Sequence, residues 1–304
     1  MQKWAAIDIG SNTVQLLVAG SEDIHFRPHF QIPPLFFALR TTRLGAASQG
    51  GLLAPERIAA TLDVLQEYRK MLIAQGVGAV RVVATSAVRD AANADLLLKA
   101  VRDLCGWQVE VLSGQEEARL SFLGAAGPAL ARGEQHILLL DIGGSSSELI
   151  RWRQGRLDTV SADVGAVRVQ TAHWQEEEIE SALAKKIKVQ ADDAAALAIG
   201  AGGTITTAAA LVQGCSEYSR QAVAGYFLTG EAVDALLAKL LPLSIEQRCA
   251  YSPLLTRRGE IICEGLQIVR AILRLLSLPG LEVSPGGVLE GCLIDLKQRG
   301  FVTI

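Results

Sequence analysis

Apolar residues along the chain recur at two spacings, and their alternation lays out a strand and helix order. Residues 3–20 read as a β-hairpin around the turn Asp8-Ile9-Gly10-Ser11-Asn12-Thr13. Residues 21–53 carry Pro28, Pro33, Pro34 and Gly50-Gly51 and read as irregular. A helix starts at Pro55, a favoured first-turn residue, with Ile58, Leu62, Leu65 and Leu72 at helical spacing and Gly76 at its end. Ala79–Thr85 is a short buried strand, and Thr85–Asp90 a polar turn into a helix over about 91–104. Gln108–Leu112 is a further strand. Ser113-Gly114-Gln115-Glu116-Glu117-Ala118-Arg119 opens the next helix.

The second half repeats the plan. Leu138–Leu140 is a strand that closes on Asp141-Ile142-Gly143-Gly144-Ser145-Ser146, with Glu148–Arg153 as its hairpin partner and another strand near 156–162. A helix starts near Trp174 and carries Ile179, Leu183 and Ile187. Ala196–Ile199 is a strand, followed by the glycine turn Gly200-Ala201-Gly202-Gly203-Thr204 and a helix. A long amphipathic helix is expected over about 257–277, and the end repeats strand, glycine turn (Pro285-Gly286-Gly287) and helix from Val288 to Arg299. This order predicts an α/β fold with a parallel or mixed sheet and helices upon it. The expected division is 1–124 and 125–304, because Gly124, Gly127, Pro128 and Gly133 loosen the pattern between Glu117 and Gly133.

Composition narrows this picture. The 304 residues suffice for two domains, half are hydrophobic, and only 5% are aromatic, so the core must be mainly Leu, Ala, Val and Ile. The net charge of −3 gives no general field for nucleic acid or an anionic membrane, so neither is expected as a partner. Cys105, Cys215, Cys249, Cys263 and Cys292 are scattered, with no C-x-x-C pair, and read as free thiols in a reducing compartment. There is no basic leader, and no apolar run approaches the roughly 18 residues that a membrane span needs. A soluble, cytoplasmic protein is expected. The four histidines show no ligand spacing.

The chemistry sits in the turns. Asp8-Ile9-Gly10 and Asp141-Ile142-Gly143 are two copies of one phrase, each with strands on both sides and small hydroxyl residues after the glycine. Such a turn points backbone N–H groups and hydroxyls at one spot, which suits a phosphate oxygen. Singly, each is equally well an ordinary hairpin; together they point to Gly10, Ser11, Asn12, Thr13, Gly143, Gly144, Ser145 and Ser146 as phosphate-binding. Gly202, Gly203 and Thr204 open a helix, where N–H donors favour anions, although a purely structural turn also fits. Asp8, Asp141 and Glu148 are oxygen donors suited to a divalent cation. Glu116 and Glu117 could supply a base, or could simply complement a helix dipole. Arg89 would stand at the sheet's C-terminal edge, where it could grip phosphate or pair with Asp90 or Asp95.

Asp8–Thr13, Thr42-Arg43-Leu44-Gly45, Ala84–Ala91, Ser113–Ala118, Asp141–Gly144 with Glu148, and Gly202-Gly203-Thr204 together resemble the exopolyphosphatase / guanosine pentaphosphate phosphohydrolase (Ppx/GppA) family. Val164-Gly165-Ala166-Val167-Arg168 is also similar to it, and the motifs run in family order over nearly the whole chain. The resemblance implies two duplicated domains of the actin-like, sugar-kinase-like (ribonuclease H-like) kind with an active-site cleft between them. It implies release of terminal phosphate from polyphosphate or pppGpp with Mg²⁺, or Mn²⁺ in its place, and it is compatible with a homodimer. By position it makes Glu117 the catalytic base, Asp141 and Glu148 metal acids, and Ser11, Asn12, Thr13, Arg89, Gly143, Gly144, Ser145 and Ser146 phosphate contacts.

The chain departs from the family pattern in four places. Ser145 stands where a third Gly is usual, which would strain a left-handed position by roughly 1 kcal/mol. Gln15 stands where Arg is common, Ala46-Ala47 where Glu-Gly is common, and Val288-Leu289-Glu290-Gly291 replaces Leu-Arg-Glu-Gly. Two other readings stay open: a small-molecule kinase of the same fold, and a polyphosphate or pppGpp sensor with little turnover.

Overall fold

The structure, a computed structural model, describes residues 1–25, 32–45, 51–256 and 258–299. Its elements in chain order begin with β1 (Lys3–Ile9), β2 (Thr13–Gly20), β3 (Phe36–Thr41), α1 (Pro55–Ala74), β4 (Val77–Ala84), α2 (Ser86–Arg89), α3 (Ala94–Cys105), β5 (Val109–Val111) and α4 (Gly114–Ala131). They continue with β6 (His136–Ile142), β7 (Ser147–Arg153), β8 (Arg156–Ala162), α5 (Ala166–Ala172), α6 (Glu176–Lys186), β9 (Leu197–Ala201), α7 (Gly203–Val212) and α8 (Arg220–Val223). The last are β10 (Phe227–Thr229), α9 (Gly230–Leu240), α10 (Ile245–Tyr251), α11 (Ile262–Leu275), β11 (Gly280–Val283) and α12 (Val288–Arg299).

Described residues up to 124, together with 288–299, form one unit, and those from 125 to 287 form the other. The first unit holds a mixed sheet of order β3-β2-β1-β4-β5, in which β1 runs antiparallel to β2 and parallel to β4. The second holds β10-β11-β9-β6-β7-β8, in which β6 runs antiparallel to β7 and parallel to β9. Apart from the edge strand β10, the two orders correspond strand for strand. This is the duplicated α/β arrangement, a mixed sheet with helices upon it in each unit, that the repeated phrase leads one to expect.

Alternation along β1 explains its unbroken apolar run. Ala5, Ile7 and Ile9 face a core shared with Leu65, Tyr68 and Leu72 of α1 and Leu97 and Val101 of α3. Trp4 and Ala6 face the other way, onto Leu289, Cys292, Leu293 and Ile294 of α12. Each Leu, Ile or Val among these contributes roughly 1.5–3 kcal/mol by burial. The first sheet's second face therefore needs α12, and residues 288–299 leave the expected second domain to cover it.

Other expectations shift as well. β3 lies inside the stretch read as irregular, because it gains its order by pairing with β2 rather than from a strong local pattern. Gly124, Gly127 and Pro128 do not break the chain: α4 runs through all three. Helix α11 starts at Ile262 instead of about 257. Gly50 and Ala46-Ala47 lie outside the described residues. No helix among the described residues is long and apolar enough to cross a membrane. The five cysteines are free, with Cys105, Cys263 and Cys292 buried.

In the second unit Arg151 of β7 grips Asp193 with two bonds, Nε to Oδ1 at 2.8 Å and Nη2 to Oδ2 at 2.9 Å, both side chains being almost fully buried. Burial alone would raise the Asp193 carboxyl, but hydrogen bonds from Arg151 and the Gln190 N–H, with Arg153 nearby, hold it below the ordinary 3.8. A depressed folded value stabilises above the unfolded value and is lost as pH falls through the folded one. Stability to urea is therefore expected to decline as pH drops below about 4. Asp193→Asn is expected to cost about 3–5 kcal/mol at neutral pH and to flatten that acid decline. Urea titrations of both proteins at pH 7 and across the acid range check this.

Candidate active site

The two hairpin turns are built alike. The Gly10 N–H donates to the Thr13 carbonyl at 3.0 Å, and the Gly143 N–H donates to the Ser146 carbonyl at the same distance. The carbonyls of Ser11 and Asn12 in the first loop, and of Gly143, Gly144 and Ser145 in the second, are taken up by neighbouring segments. In the first loop, Ser11 O accepts from the Gly45 N–H at 2.8 Å, and Asn12 O accepts from the N–H groups of Thr42 (3.0 Å) and Arg43 (2.9 Å). In the second, Gly143 O accepts from the Ala166 N–H, Gly144 O from the N–H groups of Val167 and Arg168, and Ser145 O from Arg168 Nε at 2.9 Å. No described residue accepts from the N–H groups of Ser11, Asn12, Gly144 or Ser145. Acceptors held behind and donors left in front make an anion-binding concavity.

Ser145 does not sit in the left-handed region, and neither do Gly143 and Gly144. The expected strain from replacing a third glycine is therefore absent. The demanding position is Gly165 instead, where a Cβ would lie 2.5 Å from the backbone of Gly144 and Ser145. Segment 164–168 can hold the loop this closely only with glycine there. Thr42–Gly45 performs the same service for the first loop, where a Cβ on Gly45 would meet the Ser11 Cβ at 3.1 Å.

Ladder register separates the two copies. Asp8 stands opposite Gln15 in β1–β2, whereas Asp141 stands opposite Glu148 in β6–β7. Directly opposite residues share a face, so the second hairpin presents two carboxylates and the first only one. Glu148 Oε1 accepts from Ser146 Oγ at 2.6 Å and from Ser161 Oγ at 3.0 Å, which orients it. Asp141 lies against Gly202, where a Cβ would sit 2.9 Å from its Oδ1. Asp141 and Glu148 are thus the residues of this unit that could hold a divalent cation. No group of three or more His, Cys, Asp or Glu converges among the described residues. A hard cation that keeps several waters and takes phosphate oxygens does not need one.

The third turn adds a residue that sequence reading did not single out. Gly202 has φ of +88°, which favours glycine, and a Cβ at Gly203 would overlap the Arg258 guanidinium. Arg258 therefore lies over the start of α7, and burial lowers its pKa. The Thr204 side chain is buried against Gly265 of α11, so it can offer a ligand its backbone N–H but not its hydroxyl.

In the first unit Arg89 and Glu117 come together. Arg89 Nη1 donates to Glu117 Oε2 at 2.9 Å and to the Leu112 carbonyl at 2.9 Å. Arg89 also pairs loosely with Asp90 at 3.6 Å, so one of its bland alternatives holds alongside the functional one. The two acids at the start of α4 divide. Glu116 turns to Arg119, which meets it with two bonds of 2.8 and 2.9 Å. Glu117 is partly exposed, and no described residue donates to its Oε1. Ser11 Oγ lies 3.2 Å from Ser86 Oγ, linking the first loop to the segment that carries Arg89.

A family model described as the Ppx/GppA phosphatase family matches residues 18–299. Exopolyphosphatase 2 of Mycobacterium tuberculosis is 29% identical over 96% of this chain and 98% of its own length. The guanosine-5'-triphosphate,3'-diphosphate pyrophosphatase of Vibrio atlanticus is 26% identical over 97% of this chain and 59% of its own length. The crystal structure of the Aquifex aeolicus member of the Ppx/GppA protein family superposes with a TM-score of 0.81 at 28% identity, covering 99% of both chains.

Two substitutions test the loop architecture. Gly165→Ala is expected to destabilise by about 1–3 kcal/mol, because its methyl would overlap the second loop's backbone. Ser145→Gly is expected to destabilise by about 0.5–1 kcal/mol, since it adds freedom to the unfolded chain at a position with no left-handed strain to relieve. Thermal or urea unfolding of each variant gives the answer, and a stabilising Ser145→Gly would contradict the backbone described above.

Proposed function

We propose that this chain, which belongs to the Ppx/GppA phosphatase family, hydrolyses terminal phosphoanhydride bonds of inorganic polyphosphate or pppGpp. The observation that carries the reading is the pair of loops in which the carbonyls of Ser11, Asn12, Gly143 and Gly144 are taken up by neighbouring segments, while the N–H groups of Ser11, Asn12, Gly144 and Ser145 have no acceptor among the described residues. The names of the relatives support the substrate class.

In this reading the N–H groups of the two loops bind phosphate oxygens, the Ser146 hydroxyl being spent on Glu148, and Arg89 adds a cationic grip. The Oε1 atom of Glu117 takes a proton from the attacking water, while Arg89 and Leu112 keep the opposite edge of this pair fixed. The water oxygen bonds to the terminal phosphorus and the bridging P–O bond breaks. Orthophosphate leaves, and the chain is one phosphate shorter. Asp141 and Glu148 would hold Mg²⁺, which would spread the negative charge of the phosphoryl group; the third expected acid, Asp8, belongs to the other unit and is given no part in this site.

Phosphate release from long-chain polyphosphate, pppGpp and ATP, with and without Mg²⁺, tests this. Polyphosphate or pppGpp is expected to be consumed in a chelator-sensitive reaction. Glu117→Ala is expected to lose about 10²–10⁴-fold in kcat, the usual worth of a positioned base. Glu148→Gln should raise the Mg²⁺ concentration needed for half-maximal rate. Turnover no faster than that of Glu117→Ala on every substrate would make the protein a binding module.

A further inference from the structure

The C-terminal helix α12 meets the first turns of α4 along one stripe. At Gly291 the two backbones are so close that a Cβ would fall 1.9 Å from the Leu120 carbonyl oxygen. One turn on, Asp295 Oδ1 accepts from Arg119 Nη2 at 2.5 Å, and its Oδ2 accepts from Arg81 Nη1 at 2.6 Å. A further turn on, Arg299 Nη2 reaches Glu116 Oε1 at 3.3 Å. Positions 291, 295 and 299 share a helix face, so this contact is one continuous seam.

The seam reaches both functional side chains of this unit. Arg119 lies two residues beyond Glu117 and also grips Glu116, fixing the first turn of α4. Arg81 lies on β4, the strand that leads to α2 and Arg89. Its other edge forks onto Glu110 of β5, Nε to Oε1 at 3.2 Å and Nη2 to Oε2 at 2.9 Å. β5 in turn leads to Leu112, whose carbonyl holds Arg89. Asp295 is 5% exposed, as is Arg81. Burial opposes the charge on Asp295, and its two arginines more than offset this, keeping it ionised. One buried carboxylate thus joins the three elements that fix the Arg89–Glu117 pair.

We infer that Asp295 is a positioning residue for the reaction: through Arg119 and Arg81 it holds Glu117 and Arg89 in their mutual geometry. The inference rests on reading Glu117 as the base. Small displacements of a catalytic group are costly, so the effect falls on turnover rather than on binding.

The test compares Asp295→Asn, Asp295→Glu and Arg119→Lys in the full chain with Asp193→Asn, which breaks an equally buried pair in the other unit. Measured are kcat and KM for phosphate release, together with Tm. Asp295→Asn is expected to lower kcat about 10- to 100-fold with KM nearly unchanged, and Asp295→Glu to recover part of it. Arg119→Lys keeps the charge but loses the fork, and is expected to lower kcat in the same way if Asp295→Asn does not fold. Asp193→Asn is expected to lower Tm while leaving kcat within about twofold. Combined with Glu117→Asp, the loss from Asp295→Asn should shrink, because both act on one carboxylate. Wild-type kcat in folded Asp295→Asn or Arg119→Lys overturns the inference, as does an equal kcat loss in Asp193→Asn. Full activity in Glu117→Ala would instead overturn the base assignment.

Discussion

A loop can present N–H groups to an anion only if its own carbonyl oxygens point elsewhere and are satisfied there. Both hairpin loops meet this constraint through a second segment: Thr42–Gly45 behind Ser11 and Asn12, and Gly165–Arg168 behind Gly143–Ser145. The helix N–H groups of α5 are therefore not an anion site themselves. They are spent on Gly143 O and Gly144 O, and their effect is to turn the loop's donors outward. The glycine that cannot be replaced by a larger residue sits in the supporting segment, at Gly165, because that is where two backbones touch. The hairpin glycines, lacking left-handed backbone, leave Ser145 free to replace one of their kind.

The same frame carries different chemistry in its two copies. The ladder puts Gln15 opposite Asp8 and Glu148 opposite Asp141. One exchange, Gln for Glu at corresponding positions, decides which hairpin can take a dication. Ser146 and Ser161 reinforce this by fixing Glu148 with two hydroxyl donors. The same loop geometry occurs twice, and the difference at one ladder position leaves only the second hairpin with two carboxylates on one face.

Much of this was legible in the chain, for identifiable reasons. The repeated phrase, its strands and the asymmetry of Gln15 and Glu148 are local, so the register could be counted from the sequence. The pairing of Arg89 with Glu117 was not, because it depends on β4 and β5 lying side by side. Arg258 escaped notice because nothing in its neighbourhood marks it, and its importance comes only from lying on Gly203. Strand β3 was missed because prolines before it suggested a loop, and β2 supplies the order that its own six residues lack. Helix α9 is an addition to the expected elements, although Val233, Leu236, Leu237 and Leu240 stand at helical spacing. The glycines from Gly124 onward mark the place where the two units divide, at 124/125, but not a break in the helix, because helix propensity is a weak prior that packing overrides and α4 continues through Pro128.

Charge bookkeeping explains how a chain of net charge −3 could serve a polyanion. Many of the described arginines are already paired with acids, as Arg81, Arg119 and Arg299 are with Glu110, Asp295 and Glu116. Such a balanced network adds rigidity but no attraction beyond about a Debye length, ~8–10 Å at ordinary salt. Attraction must then be local. Backbone donors in the loops provide it without net charge, and Arg168 and Arg258 have no carboxylate partner among the described residues. A site built this way would recognise phosphate by fixed geometry at a few positions rather than by a broad basic surface. Under the proposed function it would suit a chain-end phosphate better than the length of a polymer.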